Sequence, residues 1–242
     1  MHVLAFNASP RKTKGLTHRI LAPFMEGAAE AGATVETIMI RDLDVKPCKG
    51  CMSCWFVTPE ECVQKDGMAE ILDKVRSADV MVIGSPVYVD GLVGELKIVL
   101  DRMVPLLEPL MEIRDGHLRH PIVPTRSIWK VVLVSVCGLH EMDNFDPLEV
   151  HLKAVCRNMG GEYVGGLLRP HAHAMEAIEK LGGEITMITD AAREAGRQLV
   201  ADGKMDPEVL ARVSTELIPQ EAYLEGANKA MGKILRKHGT VR

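Results

Sequence analysis

Two short runs of consecutive apolar residues constrain this chain more than any other feature: Asp79–Gly84 (DVMVIG) and Lys130–Val136 (KVVLVSV). A strand with one wet face alternates apolar and polar side chains, whereas a strand covered on both faces reads as a continuous apolar run. Neither run approaches the roughly 18 apolar residues of a membrane-spanning helix. Both therefore read as strands buried on two sides, and such strands need helices above and below a parallel sheet.

The rest of the chain supplies those helices in alternation with further strands. His2–Phe6 is a short apolar strand that ends at the turn signal Asn7-Ala8-Ser9-Pro10. Over Gly15–Ala31, Leu16, Ile20, Phe24, Ala28 and Ala31 recur at helical spacing. Val35–Ile40 reads as a strand, and Met68, Ile71, Leu72 and Val75 mark a helix. Leu92, Leu96, Val99, Leu100 and Met103 place another helix over Gly91–Val104, and Leu148, Leu152, Val155 and Met159 mark a fourth. Tyr163–Leu168 reads as the fifth strand and Thr186–Leu199 as the fifth helix. The alternation predicts an α/β fold, a flavodoxin-like doubly wound five-stranded parallel sheet in the order 2-1-3-4-5. Two pieces exceed that unit. One is a long, proline-bearing connection before strand 4, Pro105–Ser127. The other is a C-terminal helical extension, 206–242, with a terminal helix over Ala222–Lys237. The expected division is a domain over 1–205, carrying a Cys-rich loop (47–66) and the 105–127 connection, followed by the extension.

Composition narrows the function classes. Only 4% of residues are aromatic, so the core is aliphatic, and the scarcity argues against a stacking platform for single-stranded nucleic acid. A net charge of −4 argues against nucleic acid in general. The N-terminal MHVLAFNASPRK lacks a basic segment ahead of its short apolar run, so it reads as neither a signal peptide nor a membrane segment, and a cytoplasmic protein is expected. In that compartment clustered cysteines more often bind metal or do redox chemistry than form structural disulfides.

In doubly wound sheets ligands bind at the carboxyl ends of the strands. The first such end is Ser9-Pro-Arg-Lys-Thr-Lys-Gly-Leu-Thr17. Hydroxyls of Ser9, Thr13 and Thr17, with backbone N–H groups at a helix start, suit a phosphate, and Arg11 adds a charge-assisted contact. Neither GxGxxG nor a Walker lysine pattern is present, and an ordinary turn with a helix cap is the plain alternative. The third strand ends in Ser85-Pro-Val-Tyr-Val-Asp-Gly91, where backbone amides and Tyr88 can face a planar heterocycle, or Tyr88 can simply pack in a turn. A parallel sheet brings both loops to one side.

Four of the six cysteines fall in Cys48-x2-Cys51-x2-Cys54-x7-Cys62. Consecutive x2 gaps resemble the opening of a ferredoxin-type iron–sulfur run. Redox-active thiols and zinc are the alternatives. Trp55 would pack over a cluster or form part of a pocket wall. Cys137 and Cys156 fall on strand and helix positions and read as small buried hydrophobes, apart from the role a resemblance gives Cys137 below. His171 and His173 (PHAH) read as a solvated loop. His117 and His120, with Arg114, Arg119 and Arg126, read as a polar surface loop.

NASPRKTKGLT after the first strand, PCKGCMSCW…ECVQKDGM after the second and SPVYVDGLVGELKIVLDR after the third resemble the NADPH-dependent FMN reductase superfamily, and within it the iron–sulfur flavoproteins. The resemblance is strong over residues 1–105. It implies FMN. Ser9, Arg11, Thr13 and Thr17 would hold its phosphate, with Gly15 and Leu16 beside them. Pro86, Val87, Tyr88 and Gly91 would line the isoalloxazine, with Val89 in the same loop, and Cys137 and Gly138 would form a third contact segment. Cys48, Cys51, Cys54 and Cys62 would ligate a [4Fe–4S] cluster. Two departures from the pattern are Asn7-Ala8 in place of a small glycine turn and the long gap before Cys62.

The resemblance further implies an FMN-dependent oxidoreductase or electron-transfer flavoprotein in which no side chain acts as a nucleophile. Its donor would be NAD(P)H or a ferredoxin-like protein, its acceptor a small molecule or protein, and its assembly a homodimer or homotetramer. The alternatives are a cluster-free NAD(P)H-dependent reductase of FMN, quinones or nitro compounds with redox thiols, and a non-enzymatic zinc- or redox-sensing module.

Overall fold

In the computed structural model, which describes residues 1–123 and 130–239, the chain begins as strand β1, His2–Asn7. Its side chains alternate between two interiors: Val3 and Ala5 enter one apolar cluster, Leu4 and Phe6 the other. Helix α1 (Leu16–Glu30) leads to β2 (Thr34–Met39), a one-turn α2 (Ser53–Phe56), α3 (Met68–Ser77) and β3 (Val80–Pro86). Then come α4 (Gly94–Asp101), a small hairpin of β4 (Glu112–Arg114) and β5 (His117–Arg119), β6 (Lys130–Val136), α5 (Asp146–Met159) and β7 (Glu162–Arg169). Helices α6 (His173–Lys180), α7 (Thr186–Asp202), α8 (Pro207–Val213) and α9 (Gln220–Lys237) complete the order.

The sheet runs β2-β1-β3-β6-β7 with every pairing parallel, the expected 2-1-3-4-5 once the hairpin is set aside. One face is covered by side chains of α3, α4 and α5, among them Ile71, Leu96 and Leu148. The other is covered by α1, α7 and α8, among them Phe24, Ala195 and Val209. Helices α1 and α7 touch backbone to backbone, which small residues permit: a Cβ on Gly27 would lie 1.9 Å from Arg193 O, and one on Gly196 2.0 Å from Phe24 O.

Three expectations are corrected. The helix expected over Gly91–Val104 begins at Gly94 and ends at Asp101. The chain first makes a tight turn in which the Tyr88 N–H donates to Gly91 O (3.0 Å) and the Gly91 N–H to Tyr88 O (3.1 Å). The 105–127 connection is not a plain loop. It holds a 3-10 turn, Val104–Leu106, and the β4–β5 hairpin, while 124–127, and with it Arg126, lies outside the described residues. His120 packs against Trp55 at 4.6 Å between ring centres. The PHAH segment is not solvated throughout: His171 is buried, and exposed His173 opens α6. The helical extension expected from 206 opens with α8, a helix not placed from the sequence. Asp206 caps it by accepting the Glu208 N–H at 2.8 Å, and Val209 and Val213 enter the core. By contrast α9 buries none of its residues. No helix among the described residues is long and apolar enough to cross a membrane.

Candidate functional site

Four strand ends converge on one pocket, three of them expected. Its lining comprises Ser9, Arg11, Gly15, Leu16 and Thr17 after β1, Pro86, Val87 and Tyr88 after β3, and Cys137 and Gly138 after β6. Thr13, Val89 and Gly91 lie outside the lining. Pro10, Val136, Ala172 and His173 join it without having been singled out as site residues. Ala172 and His173 follow β7, so the rule about carboxyl ends of parallel strands was the signal that would have found them. The pocket is half open to solvent, and its space of about 140 Å³ is smaller than the roughly 300–1,000 Å³ of pockets that engulf a drug-sized ligand. It suits one end of such a ligand, with the remainder lying along an open face.

The first loop is built around Asn7. Its buried side chain accepts the Ser9 N–H at 3.0 Å, and Ser9 Oγ in turn accepts the Arg11 N–H at 3.3 Å. An asparagine that accepts an N–H two residues on makes a turn, so Asn7-Ala8 serves where a glycine turn was the pattern. Helix α1 then starts at Leu16 with no side-chain cap. Its first turn leaves the Leu16 and Thr17 N–H groups without intrahelical acceptors. Thr17 Oγ1 is buried beside them with no hydrogen-bond partner. Such a group carries a desolvation cost unless a ligand completes it.

The second loop is held by buried serines. Ser85 Oγ accepts the Val93 N–H at 3.2 Å, Ser135 Oγ donates to Ser85 O at 2.8 Å, and the Val87 N–H donates to Val136 O at 2.9 Å. At the tip Val89 and Asp90 take φ values of 46° and 56°. That is a two-residue turn of the mirror-image type, which favours Asn-Gly and strains a β-branched residue. The strained Val89 is 100% exposed, and Tyr88 stands half-exposed at the pocket rim.

The third segment is gripped from behind. Tyr223, in the first turn of α9, donates its hydroxyl to Gly138 O at 2.6 Å. His140 stacks on His171 at 4.5 Å, and Arg169, fully buried, donates to Val213 O (2.9 Å) and Thr215 O (2.7 Å). His171 Nε2 accepts the Leu217 N–H at 3.0 Å and lies 2.9 Å from Arg169 Nη2. Two donors at one nitrogen require a neutral ring. Burial first, then the Arg169 charge, bring its pKa down to about 4. Burial also pushes the Cys137 thiol up, and Cys156 to about 11, as inert buried cysteines require.

The four loop cysteines are free thiols. Among the described residues no three Cys, His, Asp or Glu side chains converge closely enough to hold a metal ion. Cys54 is nonetheless within electrostatic reach of the other three: burial raises its thiol pKa, and Cys62, Cys48 and Cys51 raise it further. Hydrogen bonds from Ser53 hold Cys51 below its ordinary value. Gly50 and Met52, at φ 63° and 55°, wind the backbone between the cysteines. The Gly50 N–H reaches Cys48 Sγ at 3.4 Å. The donor set thus has the chemistry of a thiolate site with N–H donors around it. Trp55 lines no part of the pocket; its indole N–H donates to Leu107 O at 2.8 Å, tying α2 to the chain before the hairpin.

Comparison with known proteins agrees with this geometry. An iron-sulfur flavoprotein of Archaeoglobus fulgidus is 36% identical over 102 residues, covering 42% of this chain and 48% of that protein. An iron-sulfur flavoprotein of Methanosarcina thermophila is 35% identical over 106 residues (44% and 54%). An FMN-dependent NADH:quinone oxidoreductase of Opitutus terrae is 34% identical over 115 residues (42% and 52%). The chain spans about half the length of the curated relatives it matches. Among solved structures, an azoreductase of Bacillus anthracis superposes with a TM-score of 0.60 at 12% identity, covering 84% of this chain and 99% of that one. An NAD(P)H:quinone oxidoreductase of Methanothermobacter marburgensis gives 0.56 at 16% identity (82% and 96%). These two show the fold. The model of one family, NADPH-dependent FMN reductase, matches residues 1–124, half of the sequence and both of the first two loops of the pocket. The chain belongs to the NADPH-dependent FMN reductase family.

Proposed function

We propose that the chain is an FMN-dependent oxidoreductase whose cofactor sits in the pocket between the β1, β3 and β6 loops. The observation that carries this reading is the buried, unpartnered Thr17 Oγ1 beside the free N–H groups of the first turn of α1. A phosphate placed there completes the hydroxyl and meets the positive end of the helix dipole. Arg11, exposed at the rim, adds charge from the solvent side. Ser9 offers its hydroxyl. Pro86, Val87 and Tyr88 present an apolar wall for a flat ring system, and Cys137 and Gly138 close the far edge. FMN, when bound, supplies the hydride and electron chemistry. The protein's part is to orient the ring, keep one face dry and leave the other open to a partner; no side chain is needed as a nucleophile.

The finer reading is that Cys48, Cys51, Cys54 and Cys62 hold a [4Fe–4S] cluster. Three further thiols within electrostatic reach of Cys54, with an N–H donor at hand, support it, as do relatives that carry the name iron-sulfur flavoprotein. A cluster would supply single-electron exchange with a ferredoxin-like donor or a protein acceptor. A second reading is a cluster-free NAD(P)H-dependent reductase of FMN, quinones or nitro compounds. It is favoured by the thiols' failure to converge and by the quinone oxidoreductase among the relatives. A cytoplasmic homodimer or homotetramer is expected in either case.

One experiment separates these. The chain is purified anaerobically, and its visible spectrum, iron, acid-labile sulfide and zinc are measured before NADPH is added. A flavin spectrum with iron and sulfide supports the cluster. A flavin spectrum without iron, bleached by NADPH, supports the second reading. A colourless protein with stoichiometric zinc refutes both in favour of a sensing module.

A further inference from the structure

Cys62 poses the sharpest positional problem in the Cys-rich loop. Seven residues separate it from Cys54, and after α2 they form no further helix or strand. The other three cysteines are spaced tightly enough to wrap one centre by themselves; Cys62 is not, and something must bring it in.

A buried arginine stands at that point. The Arg102 side chain, just past α4, is 1% exposed, and that of Asp66 is 0% exposed. Arg102 Nη1 donates to Lys46 O at 2.6 Å and to Asp66 Oδ2 at 2.9 Å. Nη2 donates to Asp66 Oδ1 at 3.0 Å and to Cys62 Sγ at 3.2 Å. Asp66 also accepts the N–H groups of Lys46 and Met68, at 3.0 and 3.1 Å. Burial pushes its carboxyl up, but Arg102 and these N–H groups outweigh burial and bring it down to about 2. One guanidinium therefore grips both stems of the loop: Lys46 ahead of Cys48, and Cys62 with Asp66 at the other end.

Burying a cation carries a desolvation penalty that its pairing must repay. Charge neutralisation needs only Asp66. The bonds to Lys46 O and Cys62 Sγ are additional and directional, and only a planar fork of donors can make all four together. Arg102 Nε is buried too and has no hydrogen-bond partner. Arg76 braces the same segment, donating through Nη2 to Glu60 O.

We propose that Arg102 is a positioning residue, a clasp across the base of the Cys-rich loop that delivers Cys62 to Cys48, Cys51 and Cys54 and donates an N–H to its sulfur. This rests on the reading of the four cysteines as one ligand set. N–H donors to ligand sulfurs raise the reduction potential of iron–sulfur centres, and loss of partners one shell beyond the metal weakens binding by roughly 10–100-fold.

The test uses the full chain, purified anaerobically, as wild type, R102K, R102Q and the reference C62S. Iron and sulfide per chain, cluster reduction potential and FMN occupancy are measured. After chelation, the rate of Cys62 alkylation relative to Cys48 is read by peptide mass spectrometry. In R102K, iron affinity is expected to fall by roughly tenfold or more. The potential of any remaining cluster should drop, Cys62 should alkylate faster, and FMN should stay bound. R102K with wild-type iron, potential and Cys62 protection overturns the clasp and leaves the cluster reading standing. A wild type without iron sinks the cluster reading instead; faster Cys62 alkylation in R102K still upholds the clasp, and unchanged alkylation overturns it. Should R102Q lose far-UV circular dichroism, R102K, which keeps a cation beside Asp66, carries the test alone.

Discussion

Replacing Gly15 with alanine tests the phosphate cradle with a single methyl group. Gly15 has φ −84° and ψ 153°, values any residue adopts, so the backbone itself does not resist the change. The resistance is a contact. A Cβ at Gly15 would lie 1.9 Å from Ser9 Oγ, 2.9 Å from Ser9 Cβ and 3.3 Å from Lys12 O. The hydroxyl must swing away, giving up the Arg11 N–H it accepts. For folding, that bond is worth about 1 kcal/mol. Alanine returns about 0.4–1 kcal/mol by restricting the unfolded chain. The two nearly cancel, which leaves the strain of Ser9 Cβ at 2.9 Å and Lys12 O at 3.3 Å, so Tm should fall modestly. For the ligand there is no such offset. A hydroxyl bond to a charged phosphate contributes about 1.5–3 kcal/mol, so FMN affinity should fall roughly 10- to 150-fold.

Titration of the apoprotein with FMN, followed by quenching of flavin fluorescence, reads this directly, with thermal melts in parallel. A double-mutant cycle sharpens it. Ser9→Gly removes both of the closest atoms, leaving only Lys12 O at 3.3 Å, which must give by a few tenths of an ångström. Ser9→Gly alone should cost what Gly15→Ala costs, and Gly15→Ala should cost almost nothing further in that background. Wild-type FMN affinity in Gly15→Ala, or fully additive losses in the double variant, would refute the placement of the phosphate against Ser9.

Three further outcomes are expected. Gly196→Ala pushes a methyl to 2.0 Å from Phe24 O and 2.9 Å from Ala28 N in the facing helix. Backbone cannot move aside as a side chain can, so about 1–3 kcal/mol or more should be lost, seen as a Tm lower by at least several degrees; an unchanged Tm would show that α1 and α7 are not in contact. Tyr223→Phe removes the hydroxyl that holds Gly138 O; about 1 kcal/mol of folding stability should be lost, a Tm lower by about 2–4 °C, FMN affinity should weaken as the Cys137-Gly138 segment loosens, and equal affinity would dissociate α9 from the site. His171 gives the chain an acid limit. The unfolded ring binds a proton below its ordinary value of 6.5 and the folded ring only near 4, so stability is full above pH 6.5 and falls as pH drops through that window. By pH 5 the loss is about 2 kcal/mol. Urea midpoints at pH 7 and pH 5 should differ less in His171→Gln than in wild type, and equal slopes would refute the assignment.

Legibility in the sequence followed burial. The runs Val80–Ile83 and Val131–Val134 announced buried strands because water touches neither face of the sheet there. Helices α1, α3, α5 and α7 announced themselves by one apolar stripe each. Helix α8 was passed over, although Asp206-Pro207 pairs a capping side chain with a first-turn proline, a start signal independent of any stripe. The β4–β5 hairpin was not legible: Leu110, Met111, Ile113 and Leu118 are exposed, so no alternation of buried and wet positions marks the strands. The start of α4 was misplaced because a left-handed turn at Val89-Asp90 contradicts the preference of valine, and local preference gave no warning of it.

The site divides in the same way. Pocket residues after β1, β3 and β6 were legible, because the carboxyl ends of parallel strands are fixed once the strands are. His171 was misread because its burial comes from partners far along the chain, Leu217 and Tyr223, which no window around PHAH contains. Cys62 is the stronger case. Spacing made its gap look like an obstacle to a shared centre, and spacing measures only how far the chain can reach unaided. Arg102 lies 40 residues from Cys62 and 56 from Lys46, yet one guanidinium touches both. On the proposed clasp a buried ion pair, not the spacing, sets where Cys62 sits, so the seven residues carry no information about whether it joins the other three. That information sits in the DR of the helix after the third strand, where Asp101 faces solvent and Arg102 turns inward. A buried arginine in an aliphatic core is costly enough that its contacts indicate why it is there, and they lead to the cysteine loop.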